Sequence, residues 1–232
     1  MKKAKSECDL KSCFLCRMCV KEWLPAVSAN RKNFDVKKGE VIFKEGDPVT
    51  GVCFVYSGNV KVHKKWGKDK ELIVRFANKG AIFGHRGLIT PYYPISATAL
   101  EPTTVCFFDL DFFNSTLKVN HDFTYNLLLF LSQDLQESEK RMRNLAHMSV
   151  KGRLAYSLLS LKNQFGLTED GAINIDITRQ DISSFAGATY ETVFRTMNEM
   201  VAEKLVTLNG KNIFISNEEK LTELTTDSFL EQ

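Results

Sequence analysis

The stretch Asp176-Ile-Thr-Arg-Gln-Asp-Ile-Ser-Ser-Phe-Ala-Gly-Ala-Thr-Tyr-Glu-Thr-Val-Phe-Arg-Thr-Met197 decides how the rest of the chain is understood. Two short helical patterns flank Gly187. Thr178 is placed to cap the first, and Asp181 three residues on completes a capping-box-like pair. Ile182, Phe185 and Ala186 are expected to bury. Thr189 is a good cap for the second helix, where Val193, Met197, Met200 and Val201 recur at i, i+4, i+7 and i+8 as an inward stripe. Tyr190, Glu191, Phe194, Arg195 and Asn198 are left on the outer face. This is the layout of a helix-turn-helix that sets its second helix in the major groove of DNA. Arg195 can donate two hydrogen bonds to guanine O6 and N7, Glu191 can accept from cytosine N4, and Phe194 can lie against a thymine methyl or a sugar. The competing reading is a helical hairpin with a solvated Glu191–Arg195 pair. The segment Leu205-Val-Thr-Leu-Asn-Gly-Lys-Asn-Ile-Phe-Ile215 weakens it, because Asn209-Gly210 between β-prone runs is a strong hairpin signal. Helices and then a hairpin make a winged helix-turn-helix.

Working outward, residues 149–216 form this DNA-binding block, with Arg153–Phe165 as a further helix. The block holds seven Lys/Arg and seven Asp/Glu, so the claim rests on geometry and motif and not on bulk charge. Before it, residues 112–148 are expected to be one long helical region. Leu128, Leu131, Leu135, Ser138, Met142 and Leu145 recur at spacings of 3, 4, 3, 4 and 3, a heptad-like seam interrupted by one polar residue. Such a seam fits a dimer helix, and a dimer suits a protein that reads a palindrome. Residues 25–111 break into short β-rich runs, among them Val41–Phe43, Val52–Tyr56, Val60–Val62, Leu72–Phe76 and Thr104–Phe108, with glycine between them, as in a barrel, roll or sandwich. Residues 1–24 are a cysteine-rich, basic leader and 217–232 an acidic tail expected to be peripheral. The formal net charge is +3. No run of about 18 apolar residues is present, so a membrane span is excluded. The basic start lacks the apolar core of a secretory signal, which places the protein in the cytoplasm. There thiols stay reduced, and the six cysteines are not first taken as a disulfide framework.

The Ile177-Thr-Arg-Gln-Asp-Ile182 entry, the Glu191…Arg195 pair and the Asn209–Ile215 wing resemble the CRP/FNR family of bacterial transcription regulators. So do Lys38-Gly-Glu-Val-Ile-Phe-Lys-Glu-Gly-Asp47 and Val55-Tyr-Ser-Gly-Asn-Val-Lys61, which look like the family's cyclic-nucleotide-binding-type β-roll. The resemblance covers nearly the whole chain and is nearest the FNR-like branch that does not use cyclic AMP. It implies an α+β fold: an N-terminal β-roll, a long dimerisation helix and a C-terminal winged helix-turn-helix. It also implies a homodimer on double-stranded palindromic DNA, with RNA polymerase as a partner. Glu191 and Arg195 would read a TGA-like half-site core, and Thr178, Arg179 and Gln180 would contact phosphates. Thr189, Tyr190, Phe194 and Lys211 complete the expected DNA-facing set. In the cyclic-AMP-binding members a Glu holds the ribose and an Arg holds the phosphate; here His85 and Ile95 stand in those places. Burying a cyclic phosphate without its cationic partner leaves the charge uncompensated, so cyclic AMP is disfavoured, with compensation by Arg86 from a neighbouring position the alternative.

The leader cysteines Cys8, Cys13, Cys16 and Cys19 are spaced C-x4-C-x2-C-x2-C. Soft thiolates brought together in a reduced compartment suit an iron–sulfur cluster or zinc. By the resemblance, Cys13, Cys16 and Cys19 with the distant Cys106 would hold a [4Fe–4S] cluster responding to oxygen, redox state or nitric oxide. Cys8 is an alternative ligand, and Cys8, Cys13, Cys16 and Cys19 would make an all-local zinc site. Thiol redox switching, haem, another small ligand and no cofactor stay open. Cys53, among Val52, Phe54 and Val55, is expected as a core thiol, and Cys106 has the same alternative. His63, His85, His121 and His147 show no ligand spacing and are taken as ordinary polar or surface residues. No Ser/His/Asp, Cys/His or paired-carboxylate constellation appears, so no catalysis is expected. The rival, a metal- or redox-handling enzyme with an incidental helix-turn-helix, lacks a catalytic group near the leader.

Overall fold

The computed structural model describes residues 2–3, 11, 13–67 and 70–226, and the chain divides into two compact units, residues 1–137 and 138–232. In the first unit β1 (Lys2–Lys3), α1 (Phe14–Met18) and α2 (Leu24–Asn30) precede the roll. Its strands are β2 (Lys32–Val36), β3 (Val41–Phe43), β4 (Gly51–Ser57), β5 (Val60–Trp66), β6 (Lys70–Ala77), β7 (Ile82–Phe83), β8 (Ser96–Ala99) and β9 (Thr103–Asp109). They pair antiparallel in two sheets, ordered β1-β2-β9-β4-β7 and β3-β8-β5-β6.

Side chains alternate across a strand, and here both faces of the first sheet are covered. On β4, Cys53 and Val55 join the roll interior with Phe43, Val62, Phe83 and Ile95, while Val52 and Phe54 face the opposite cluster. On β9, Val105 goes inward and Cys106 and Phe108 go outward, against Leu15, Val27, Phe113 and Phe123. Two apolar layers thus sandwich one sheet, which explains why β4 is an unbroken apolar run.

The long helical region is not continuous. It divides into α3 (Leu110–Val119) and α4 (His121–His147), broken at Asn120, which has φ −114° and ψ 86°. The Asn120 side chain competes with helix propagation: its Nδ2 donates to Thr116 O at 3.1 Å, and its Oδ1 accepts from Val20 N at 3.0 Å. His63 and His85 are also not surface residues. A bulge after Val62 turns His63 inward, where its Nε2 lies 2.9 Å from Thr98 Oγ1 and its Nδ1 2.8 Å from Glu71 Oε2. His85 opens a 3-10 turn after Gly84, whose φ of +83° suits only glycine without strain, and is buried against the edge of Phe130.

The second unit holds the end of α4, α5 (Val150–Phe165), α6 (Arg179–Ala186), α7 (Tyr190–Ala202), β10 (Val206–Asn209), β11 (Asn212–Ile215) and α8 (Glu218–Glu223). Thr178 and Asp181 form a reciprocal capping box on α6, and Gly187 closes that helix in the left-handed region at φ +66°. Thr189 caps α7 by accepting from Thr192 N. The inward stripe of α7 is Val193, Thr196, Met197 and Met200; Val201 lies outside it. At about 100° per residue, position 201 falls on the solvent arc, and Thr196 takes the place assigned to it. The tail segment is not peripheral at its start, because α8 buries Leu221 completely.

Candidate functional site

The N-terminal turns of α7 present Tyr190, Glu191, Phe194, Arg195 and Asn198 to solvent. Glu191 and Arg195 do not pair with each other, and neither has an ion-pair or hydrogen-bond partner among the described residues. Two charged groups without protein partners on adjoining helix positions are free to meet base edges. Around them, Arg179 donates from Nη2 to Gly210 O at 3.3 Å and thereby ties the start of α6 to the wing turn. Lys211, on the wing, is bridged to Asp176 at 2.9 Å, while Thr178 is committed to its capping box and Gln180 is exposed. A phosphate approaching Lys211 therefore competes with a carboxylate, which weakens the pull of this face on the DNA backbone.

Two arginines that the motif did not reveal fix the turn between α6 and α7. Arg141 lies over the Phe185 ring at 4.4 Å and donates to Phe185 O at 2.9 Å. Arg153 donates from Nε to Ala186 O at 3.0 Å and from Nη1 to Met148 O at 2.8 Å. They satisfy the last carbonyls of α6, the groups a helix leaves without partners at its C-terminus. The one sequence clue was their position beside the α4–α5 break.

The second candidate site is the outer face of the first sheet. Cys13, Cys16, Cys19 and Cys106 are all buried in one cluster with Leu15, Phe54 and Phe108. Cys13 caps α1, its Sγ accepting from Cys16 N at 3.3 Å, and the Cys19 thiol donates to Asn120 Oδ1 at 3.1 Å. Trp23 Nε1 donates to Thr116 Oγ1 at 3.1 Å, so α3 holds the leader at two points. Burial, with the nearby Cys13, pushes the Cys19 thiol up to about 11. Among the described residues no three His, Cys, Asp or Glu side chains converge as a metal site. The donor chemistry suits a thiophilic group, since Cys13, Cys16, Cys19 and Cys106 belong to one buried apolar cluster and a metal would deprotonate such thiols. Cys8 lies outside the described residues. Cys53 sits on the other face of the sheet, where burial alone pushes its thiol up to about 12. Asn120 is a contact of this cluster that the sequence did not reveal; a single Asn in a helical run carries no signal of a partner about a hundred residues away.

The roll interior does not fit a cyclic nucleotide. Ile95 is packed among apolar side chains where a phosphate would need a cation. Phe43 and Tyr93 stack at 4.0 Å, and Tyr93 Oη donates to Gly51 O at 2.7 Å. The neighbouring cations are engaged: Arg86 pairs with Asp134 at 2.5 Å, and Arg75 Nη2 donates to Ile82 O at 2.5 Å. His85 has neither ring nitrogen hydrogen-bonded among the described residues, and burial, then the charges of Arg75 and Arg86, depress it to about 3.

Comparison with known proteins agrees with the roll and the winged helix-turn-helix. Residues 34–120 match the model of the cyclic nucleotide-binding domain, and residues 152–224 that of the Crp-like helix-turn-helix domain. The chain is similar to the cAMP-activated global transcriptional regulator CRP of Pasteurella multocida, with 30% identity over 173 residues covering 73% of this chain and 83% of the relative. It is 26% identical over 201 residues to the CRP-like cAMP-activated global transcriptional regulator of Mycobacterium tuberculosis, covering 85% and 90%. Among solved structures, FixK2 from Bradyrhizobium japonicum superposes with a TM-score of 0.76 at 23% identity, covering 85% of this chain and 98% of that one.

Proposed function

Because the chain belongs to the CRP/FNR family of bacterial transcription regulators, we propose that it works as a homodimer whose paired α7 helices read a palindrome with TGA-like half-site cores. It is a DNA-binding regulator by its Crp-like helix-turn-helix, and its relatives are transcription regulators, not enzymes. The observation that carries the reading is the exposed and unpaired state of Glu191 and Arg195 side by side on α7. Arg195 would take guanine and Glu191 the cytosine N4, while Thr178, Arg179, Gln180, Thr189 and Lys211 would serve the backbone.

Dimerisation is supported by α4. Leu128, Leu135 and Met142 stand seven residues apart and are 62%, 59% and 60% exposed, with Leu131 and Leu145 exposed along the same seam. A stripe of this kind on a 27-residue helix is stabilised by a second copy across a two-fold axis. The working division is then leader 1–24, roll 25–111, dimer region 112–148, DNA-binding domain 149–216 and tail 217–232. No described helix is long and apolar enough to cross a membrane, in keeping with a cytoplasmic regulator that meets RNA polymerase at promoters.

For the signal, Cys13, Cys16, Cys19 and Cys106 would hold an iron–sulfur cluster, supplying oxygen- and redox-sensitive chemistry. Phe123 and Leu127, at the root of α4, belong to the same apolar cluster as these cysteines, and Asn120 ties Cys19 and Val20 to the α3–α4 break. A change in leader packing is therefore felt where the dimer helix begins, and a shift there biases the spacing of the two reading helices.

A gel shift of the full chain, purified without oxygen, on a palindrome with TGA and TCA half-site cores tests the DNA reading. Sequence-specific binding that weakens with salt supports it; none in any redox state overturns it. Iron, sulfide and zinc analysis of the same preparation tests the sensor. Iron with sulfide supports the cluster, zinc alone moves the site into the leader, and a metal-free, colourless protein removes both. Arg195→Ala is expected to cost about 1–3 kcal/mol of binding and to relax one half-site position.

A further inference from the structure

We propose that Phe194, held by Tyr190, reads a thymine C5-methyl group beside the base pair contacted by Arg195 and Glu191. The proposal rests on the DNA reading above and extends it from the polar readers to the thymines of the half-site. The two rings stack on the solvent side of α7, with centroids 6.2 Å apart and planes 17° apart. Tyr190 is 42% and Phe194 55% exposed, so this helix carries two large aromatic faces in water next to its polar readers. Below them Val193, Met197 and Leu208 line a shallow groove of about 70 Å³ between α7 and the wing, with Arg179 at its rim.

Polar reading alone does not explain such an arrangement, since isolated aromatics on a reading helix lose water contact only if an apolar surface meets them. The major groove offers one apolar group on its base edges, the thymine methyl. Deoxyribose is also apolar, but it carries no methyl that a base change removes. On a helix turning about 100° per residue, Phe194 lies about 60° from Glu191 and about 100° from Arg195, on the flank of the polar readers, and Tyr190 lies about 40° further round. Phe194 is thus the ring nearer to the bases. Tyr190 stands one turn before it and restricts its ring, which makes Tyr190 a positioning residue and Phe194 the contact.

Uracil scanning tests this directly. Full-length protein is bound to the palindromic duplex with each half-site thymine replaced in turn by uracil, which removes the methyl and leaves base pairing unchanged. Loss of one buried methyl predicts about fourfold weaker binding at one thymine next to the G·C pair. Phe194→Ala is expected to bind thymine and uracil duplexes equally while still preferring the palindrome to random DNA through Arg195 and Glu191. Phe194→Leu should keep part of the methyl preference, and Tyr190→Ala should reduce it. Phe194 is exposed, so circular dichroism should show an unchanged fold in its variants. Indifference of the wild type to uracil at every thymine overturns the proposal, as does a Phe194→Ala protein that keeps the preference. Equal weakening of Phe194→Ala on all sequences would assign the ring to a sugar and overturn it too. Absence of any sequence-specific binding by the wild type would instead remove the DNA reading itself, and this inference with it.

Discussion

The two faces of the sheet β1-β2-β9-β4-β7 are equally buried and do different things. Toward the roll, Cys53 lies among Val55, Phe83, Ile95 and the stacked Phe43–Tyr93 pair, an interior sealed by apolar groups. Away from it, Cys106 meets Cys13, Cys16 and Cys19, with Asn120 reaching in from the α3–α4 break. Phe54 is the residue paired with Cys106 across β4 and β9, so Cys53 and Cys106 are one step out of register and point to opposite sides. Both thiols are buried, and desolvation alone raises the pKa of Cys53 to about 12. Burial is therefore uninformative about role; what separates the two cysteines is the company on each face.

The sharpest way to break this comparison is to exchange the thiols one at a time. If the proposed cluster is held by Cys13, Cys16, Cys19 and Cys106, Cys106→Ala purified without oxygen loses essentially all the iron and sulfide that the parent protein carries, and Cys53→Ala keeps them. Iron retained by Cys106→Ala would move the ligand set into the leader. The sealed face is tested by Ile95→Arg. A guanidinium among those side chains has no anion to meet, so unfolding by denaturant should show a loss of about 3 kcal/mol or more. Cyclic AMP should not restore it; rescue by the nucleotide would mean that the interior opens to ligand.

On the leader side, Asn120→Ala removes the acceptor for both Cys19 and Val20. A buried thiol and a part-buried backbone N–H left without their acceptor are expected to cost about 1–3 kcal/mol, read from the denaturation midpoint, and to loosen the leader toward proteolysis. The smallest effect concerns His85. Its folded value near 3 lies below the unfolded value of 6.5, so the unfolded chain takes up the proton first as pH falls. Stability should accordingly drop by about 1.4 kcal/mol per pH unit on acidification below 6.5. His85→Leu should abolish that slope. The window from pH 6.5 to 5 is the one to measure, because Glu71, held down to about 2 by His63 and Lys61 against the effect of burial, adds its own loss only below 4.5.

Much of the DNA-binding half was legible because its signals are local. Thr178 with Asp181, Gly187, Thr189 and Asn209-Gly210 each specify backbone geometry within three or four residues, and the structure has the capping box, the left-handed turn and the hairpin there. Where periodicity was stretched over two turns it slipped: Val201 at i+8 drifts onto solvent, and Thr196 is buried in its stead. The roll strands emerged from β-branched and aromatic runs between glycines for the same local reason.

The amino-acid sequence by itself thus determined most of the elements, the exposed placement of Glu191 and Arg195 on α7, and the presence of thiols in the leader. Tertiary structure alone decided which groups meet. Whether Cys106 faces the leader or the roll depends on strand parity and register. Whether Asn120 breaks a helix depends on Val20 and Cys19 waiting about a hundred residues away. Whether His85 is surface or core depends on Phe130 in a different element, and the grip of Arg141 and Arg153 on the turn after α6 depends on helices folding back. Local propensity is encoded by neighbours in the chain, but burial and partnership are properties of the packed whole, where contacts between distant segments outweigh any preference a short segment carries.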